Sequence, residues 1–131
     1  MRRLGIDVRP GDYAVARLDP AAPVPAGLLD AAGAGLVSVT RTAEELSVVC
    51  PAERAPAEAE VERGWRLLSV RGPLAVTLTG VIAALSSELA AAGVALVTVS
   101  TFDTDHILVR AGDLTRAVAA LRAAGNEVHG D

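Results

Sequence analysis

Between residues 65 and 129 the spacing of apolar side chains switches repeatedly between two periods, and this switching restricts the fold more than any other feature of the chain. "WRLLSVR" (65–71) reads as a strand, ended by Gly72-Pro73. From Leu78 the apolar residues Leu78, Ile82, Leu85 and Leu89 fall on one face of a helix. Thr79 is a candidate cap for it, and Gly93 a natural residue just past its end. "VALVTVS" follows as a strand apolar on both faces, as expected of an interior strand, with "DHILVR" as its neighbour. Asp113 can cap a second helix whose buried stripe is Leu114, Val118 and Leu121, and Gly125 ends it. "NEVH" is a last short strand. The order is βαββαβ, the plan of a ferredoxin-like unit, and it predicts an α+β fold.

The first half partly repeats this pattern. "GLVSVTRTAEELSVVCPAE" (35–53) aligns without a gap on "ALVTVSTFDTDHILVRAGD" (95–113) at an offset of 60 residues, which places Glu45 on Asp105. "AGLLDAA" predicts a short helix ahead of the repeat, and "DYAVARL" (12–18) the matching first strand. "LGIDV" (4–8) is an extra run that would supply an edge strand to either half. Pro, Ala and Glu dominate "PAERAPAEAEVER" (51–63), which reads as a linker. The expectation is two ferredoxin-like units in tandem, a degenerate one in residues 1–60 and a complete one in residues 61–131. The first half lacks a clear second helix and buries too little to offset its chain entropy. Alone, residues 1–60 should be disordered or insoluble, while residues 61–131 retain some structure.

Composition excludes several kinds of function. Of 131 residues, 12 are cationic, all of them Arg, and the net charge is −4 with no basic cluster, so a nucleic-acid-binding face is not expected. Without Lys there is neither Schiff-base chemistry nor a P-loop lysine. Cys50 is the single cysteine, which rules out an intramolecular disulfide and a cysteine-rich zinc site. "MRRLGIDV" opens no apolar signal region, and "LAAAGVALVTV" is too short to span a bilayer. The expectation is a cytoplasmic protein without a cofactor.

The tandem pattern, with "STFDTDHILV" and "TRTAEELSVVCP" at equivalent places, resembles the amino-acid-binding ACT domains. It is similar to short bacterial proteins built from two ACT-like units and to the ACT units of the CASTOR arginine sensors. "YAVARL", "GWRLLSVRGPL" and "LTGVIAALS" complete the resemblance, which covers most of residues 12–128. It implies regulation rather than catalysis, with a free amino acid held between ACT units. It assigns ligand contacts to Thr101, Phe102 and Asp105 on the hairpin and to Gly80 and Val81 at the helix start. In the arginine sensors an acidic residue lies two positions before that glycine; here the position is Leu78.

The residues themselves leave alternatives open. A helix start at Gly80 presents unpaired N–H groups to a carboxylate, and glycine lets the ligand come close; equally, Gly80 eases a strand-to-helix turn. Asp105, with the Ser100 and Thr101 hydroxyls, suits an ammonium group; equally, it is a turn residue bonded to its own backbone. Phe102 walls a pocket or covers the end of the core. Asp103, Asp105 and His106 are metal-ligand types, but Asp105 and His106 point to opposite faces of a strand. Arg41, Thr42, Glu44 and Glu45 occupy the matching hairpin, where Arg41 or Glu45 reads the ligand side chain or all four form a solvated turn. Trp65 is expected to pack across the sheet and Cys50 to be a small buried residue. His129 carries no signal.

These readings converge on a non-enzymatic sensor or regulator that binds a free amino acid and acts on an unidentified partner protein, its sheet edges pairing into a homodimer. The alternative is a protein–protein interaction module with no small-molecule ligand. A small enzyme is disfavoured by two separated histidines and by the lack of a nucleotide-binding glycine loop.

Overall fold

The computed structural model describes residues 3–30, 33, 35–72 and 80–130. In chain order the strands and helices are β1 (Gly5–Val8), β2 (Tyr13–Leu18), β3 (Ser38–Arg41), β4 (Leu46–Pro51), β5 (Glu60–Val70), α1 (Val81–Ala91), β6 (Leu96–Ser100), β7 (Asp105–Arg110), α2 (Leu114–Ala123) and β8 (Glu127–His129). The chain divides into an N-terminal unit, Gly11–Trp65, and a C-terminal unit, Met1–Pro10 with Arg66–Asp131. β5 passes from the first into the second.

The C-terminal unit is a five-stranded sheet in the order β6-β7-β5-β1-β8, with both helices contributing to one core. Strand alternation sets that core. Leu4, Ile6, Leu68, Val70, Ile107 and Val109 point to one face, where they meet Val81, Leu85 and Leu89 of α1 and Leu114, Val118 and Leu121 of α2. The stripe expected for α2 is therefore buried as read. α1 buries Leu85 and Leu89 and keeps Ile82 at the core margin, while Leu78 and Thr79 lie outside the described residues. Gly80, with φ of 83°, stands at the N-cap without a side-chain capping bond.

The first departure from the βαββαβ plan is β1. The run at residues 4–8 is not an edge strand. It lies between β5, to which it is antiparallel, and β8, to which it is parallel, with Ile6 opposite both Val70 and Val128. Residues 1–10 therefore belong with the C-terminal unit, and the boundary falls inside β5 rather than at residue 60. Asn126 fixes the strand. Its Oδ1 accepts from the Leu4 amide at 3.1 Å, and its Nδ2 donates to the Leu121 carbonyl at 3.0 Å. The second departure is β6. It pairs only with β7 among the described residues, and Val97 and Val99 are half-buried, so it is an edge strand rather than an interior one.

The N-terminal unit has the order β3-β4-β2-β5, using the first half of β5. A bulge sets two residues of β5, Arg63 and Gly64, opposite Ala14, and Gly64 takes a left-handed φ of 83° there. Its core is Ala16, Leu18, Leu28, Leu46, Val48 and Cys50, with Val61 packed against it. Trp65 is buried opposite Tyr13, and burial pushes the Cys50 thiol up from its ordinary range. The helix expected at "AGLLDAA" is absent from residues 26–30: residues 26–29 form turns, and a left-handed Gly27 interrupts helical dihedrals. Residues 31 and 32 lie outside the described residues. Of residues 51–63, Pro51 completes β4, residues 52–54 make one 3-10 turn and Glu60–Arg63 open β5, so the last third of that segment is strand, not linker.

Arginines take over work that helices do in the C-terminal unit. The Arg54 guanidinium donates to the Gly27 and Leu28 carbonyls at 2.9 and 2.6 Å, and Arg63 donates to Ala52 at 3.0 Å. The Gly27 and Ala52 carbonyls also accept from the Asp30 and Ala55 amides, so these arginines brace turns that are already bonded.

Two outcomes test the place of β1. Residues 61–131 alone should show no cooperative thermal transition, because Leu4 and Ile6 leave the core and β8 loses its strand partner; adding residues 1–10 through a flexible linker should restore it. Asn126→Ala should cost about 1–3 kcal/mol in denaturant unfolding, since it strands the Leu4 N–H in a buried position.

Candidate functional site

Chain direction alone assembles one end of the C-terminal unit. β5 finishes at Val70 and α1 must run back over the sheet to reach β6; β6 is antiparallel to β7, and the bonds Thr104–Val70 and His106–Ser69 show β7 running against β5, so β6 runs parallel to β5. The start of α1, the end of β5 and the β6–β7 turn therefore lie at the same end of the unit. Residues on a strand alternate faces. Ile107 and Val109 join the helix-side core, so Asp105 and its cross-strand partner Ser100 lie on the helix side too. Gly80, Val81, Ser100 and Asp105 thus share one end and one face.

The hairpin is tightly organised. The Ser100 hydroxyl donates to Asp105 Oδ1 at 2.7 Å, which orients the carboxylate. The Thr101 N–H donates to the Thr104 carbonyl at 2.9 Å, and the Thr101 hydroxyl also lies against that carbonyl at 3.1 Å. Thr104 Oγ1 donates to the Val70 carbonyl at 2.7 Å and ties the turn to β5. Phe102 at the tip is 88 % exposed and covers no core. At the helix start the Gly80 carbonyl accepts from the Ala84 N–H at 2.9 Å, Val81 is buried, and a methyl group placed on Gly80 would meet nothing within 4 Å among the described residues.

The opposite face of the same strands carries His106. Its Nδ1 lies 2.8 Å from Ser69 Oγ on β5. Burial pushes the imidazole below its ordinary range, Arg9 pushes the same way, and Asp105 opposes them. Asp7 on β1 is opposite Ser69 and binds Arg71 through contacts of 2.8–3.2 Å; this hydrogen bonding holds its carboxyl below the usual range. Among the described residues no cluster of three His, Cys, Asp or Glu side chains is arranged to hold a metal.

The β3–β4 hairpin of the N-terminal unit has the same backbone, in a different register from the one expected. Ser38 opposes Val49 and Arg41 opposes Leu46, while Val97 opposes Leu108 and Ser100 opposes Asp105. The Thr42 N–H donates to the Glu45 carbonyl at 2.9 Å, as the Thr101 N–H does to Thr104. The 3-10 turns that follow, at residues 52–54 and 111–113, keep the same spacing. The offset between the hairpins is therefore 59 residues, not 60. Thr42 matches Thr101, Glu45 matches Thr104, Arg41 matches Ser100, and the counterpart of Asp105 is the fully buried Leu46. A one-residue slip moves every strand side chain to the opposite face. The Arg41 guanidinium donates to the Pro20 and Ala22 carbonyls, and Thr42 Oγ1 accepts from the Glu44 and Glu45 amides at 3.1 and 3.2 Å. Gapless alignment missed this because both offsets set apolar residues on apolar ones, Val48 and Val49 falling on Leu108 and Val109 at 60 and on Ile107 and Leu108 at 59; the Thr-x-x-x turn shared by residues 42–45 and 101–104 was the usable signal.

A family model described as an ACT domain matches residues 60–123, and a model of an N-terminal domain matches residues 11–58. Among solved structures, protein Atu0741 from Agobacterium tumefaciens is 37% identical, with 98% of this chain and 94% of that one covered and a TM-score of 0.88. A Vibrio cholerae protein of unknown function is 23% identical, covering 92% and 88%, with a TM-score of 0.70. The regulatory subunit of aspartate kinase from Thermus thermophilus shares the fold at 13% identity, covering 92% and 96%, with a TM-score of 0.64. No curated protein matches the chain.

The left-handed backbone at Gly80 gives a direct check. Gly80→Ala should cost about 1–2 kcal/mol in chemical unfolding, the penalty for an L-residue at positive φ, with no added clash.

Proposed function

We propose, from the premise that this chain belongs to the family of the Agobacterium protein Atu0741 and carries an ACT domain, that it is a regulatory protein binding a free amino acid in its C-terminal unit. The observation that carries this reading is the carboxylate of Asp105, oriented by the Ser100 hydroxyl on the same end and face as the start of α1. An α-amino acid needs an anion for its ammonium group and N–H donors for its carboxylate. Asp105 with Ser100 and Thr101 supplies the first, and the open first turn at Gly80 and Val81 supplies the second. Phe102 closes over the ligand from the hairpin tip. The regulatory subunit from Thermus thermophilus supports a role in control rather than catalysis.

The N-terminal hairpin offers no equal site. Leu46 stands where Asp105 would, and Arg41 and Thr42 are engaged with backbone groups. One ligand per chain follows.

A second reading, an interaction module, draws on Phe102 and on β6, an edge strand of five residues without a charge. On both readings copies of the chain associate as a homodimer, and light scattering at micromolar concentration should give twice the chain mass.

A thermal-shift panel of the common amino acids separates the two, because a ligand bound only by the folded state raises the melting temperature. The expected result is a rise for one or a few of them. Asp105→Asn should then weaken that ligand about 10- to 150-fold, the loss of one charge-assisted hydrogen bond, while Asp103→Asn at the turn changes affinity less. Equal affinity for wild type and Asp105→Asn would reduce Asp105 to a turn residue.

A further inference from the structure

The side chains that hold the β6–β7 hairpin in place come from the face of the sheet that the proposed ligand does not use. Two hydrogen bonds join the hairpin to the end of β5: Thr104 Oγ1 to the Val70 carbonyl at 2.7 Å, and the pair Ser69 Oγ and His106 Nδ1 at 2.8 Å. They flank Asp105 on either side in sequence. Ser69 is 3 % exposed, so water cannot readily replace His106 as its partner. No such pair exists in the matching hairpin, where Glu45 and Ser47 occupy the places of Thr104 and His106 and both bonds are absent among the described residues.

We infer that Ser69, His106 and Thr104 are positioning residues, and that the Ser69–His106 bond is a proton-sensitive latch holding the β6–β7 hairpin against β5. A neutral imidazole whose Nδ1 carries no hydrogen accepts the Ser69 O–H. Protonation puts a hydrogen on Nδ1 and converts that acceptor into a donor. The buried Ser69 hydroxyl must then turn its own hydrogen away, with no second acceptor supplied by His106. The new charge also sits in a half-buried place near the Arg9 guanidinium, which repels it; Asp105 attracts it from the far side of β7. Along the same row of the sheet, Asp7 is engaged by Arg71, His129 lies beyond it on β8, and Val99 of β6 brings no charge.

The sign follows from the direction of the shift. A folded-state pKa below the ordinary 6.5 means that the unfolded or unlatched state takes up the proton more readily. The latch is closed above about pH 6.5 and weakens as pH falls through the window below it. Asp7, a carboxylate held below 3.8, loses its contribution only in a separate and more acidic range. As a device that regulates ligand affinity the latch rests on the amino-acid reading above; as a device that orders the hairpin it does not.

The test uses the full chain without ligand. Hydrogen exchange at the Thr101 amide, which donates across the turn, is followed by NMR from pH 7.5 to 5.0 after correction for intrinsic exchange, with the Glu127 amide on β8 as a global reference. Protection at Thr101 should fall by about tenfold for each unit by which the His106 pKa is depressed, and at every pH it should stay below that of Glu127, which reports global unfolding and follows the same proton linkage. His106→Gln keeps an acceptor without a titration and should flatten the profile at the protected level. Ser69→Ala should flatten it at the loosened level, and Thr104→Val should lower protection at every pH while keeping the slope. A His106 ring that titrates at or above 6.5, or protection at Thr101 that equals that of Glu127 throughout and so reports only global unfolding, overturns the latch. Binding is read separately: a working latch with a silent amino-acid panel sinks the ligand reading alone, and a bound ligand whose affinity is flat from pH 7.5 to 5.0 sinks the regulatory role of the latch.

Discussion

Ile6, opposite Val70 on one side and Val128 on the other, is the contact on which the C-terminal unit depends. Without β1, β5 and β8 have no strand between them, and the core that receives both helices opens along its middle. The Asn126 side chain closes this arrangement across a separation of 122 residues, taking the Leu4 amide at one end of the chain and the end of α2 at the other. Closing so long a loop is entropically costly, and the return is a fully hydrogen-bonded interior strand. The unit is therefore discontinuous in sequence while being compact in space.

The two units apply one plan with different reinforcements. In each, a strand hairpin of identical turn geometry joins a central strand, and a further antiparallel strand pairs on the other side. The C-terminal unit covers its sheet with amphipathic helices. The N-terminal unit has no α-helix among its described residues and anchors Leu28 through backbone bonds from Arg54. The all-Arg composition fits this use, because a planar guanidinium can serve two carbonyls at once, as Arg54 and Arg41 both do.

Asp105 joins the two sides of the sheet. Its carboxylate and Ser100 face the helix side, while the next residue, His106, reaches to Ser69 on the other. Alternation along a strand makes this unavoidable, and it lets one hairpin present a carboxylate on one face and be held from the other.

The sequence by itself determined the βαββαβ order, the buried stripe of α2, the buried Cys50 and Trp65, and the presence of two related hairpins. These follow from local periodicity and turn chemistry, which act over a few residues. Three things were decided only by the tertiary structure. The run at 4–8 is apolar enough for any strand, and only pairing with β5 and β8 makes it interior. "VALVTVS" reads as interior, yet it lies at an edge, because strand order is a long-range choice that its own residues do not encode. The offset of 59 rather than 60 places Leu46, not Glu45, opposite the role of Asp105. The gapless alignment sets more valines on valines at 60 than at 59, but hydrogen-bond register follows the turn rather than residue identity, and each one-residue shift exchanges the two faces of the sheet.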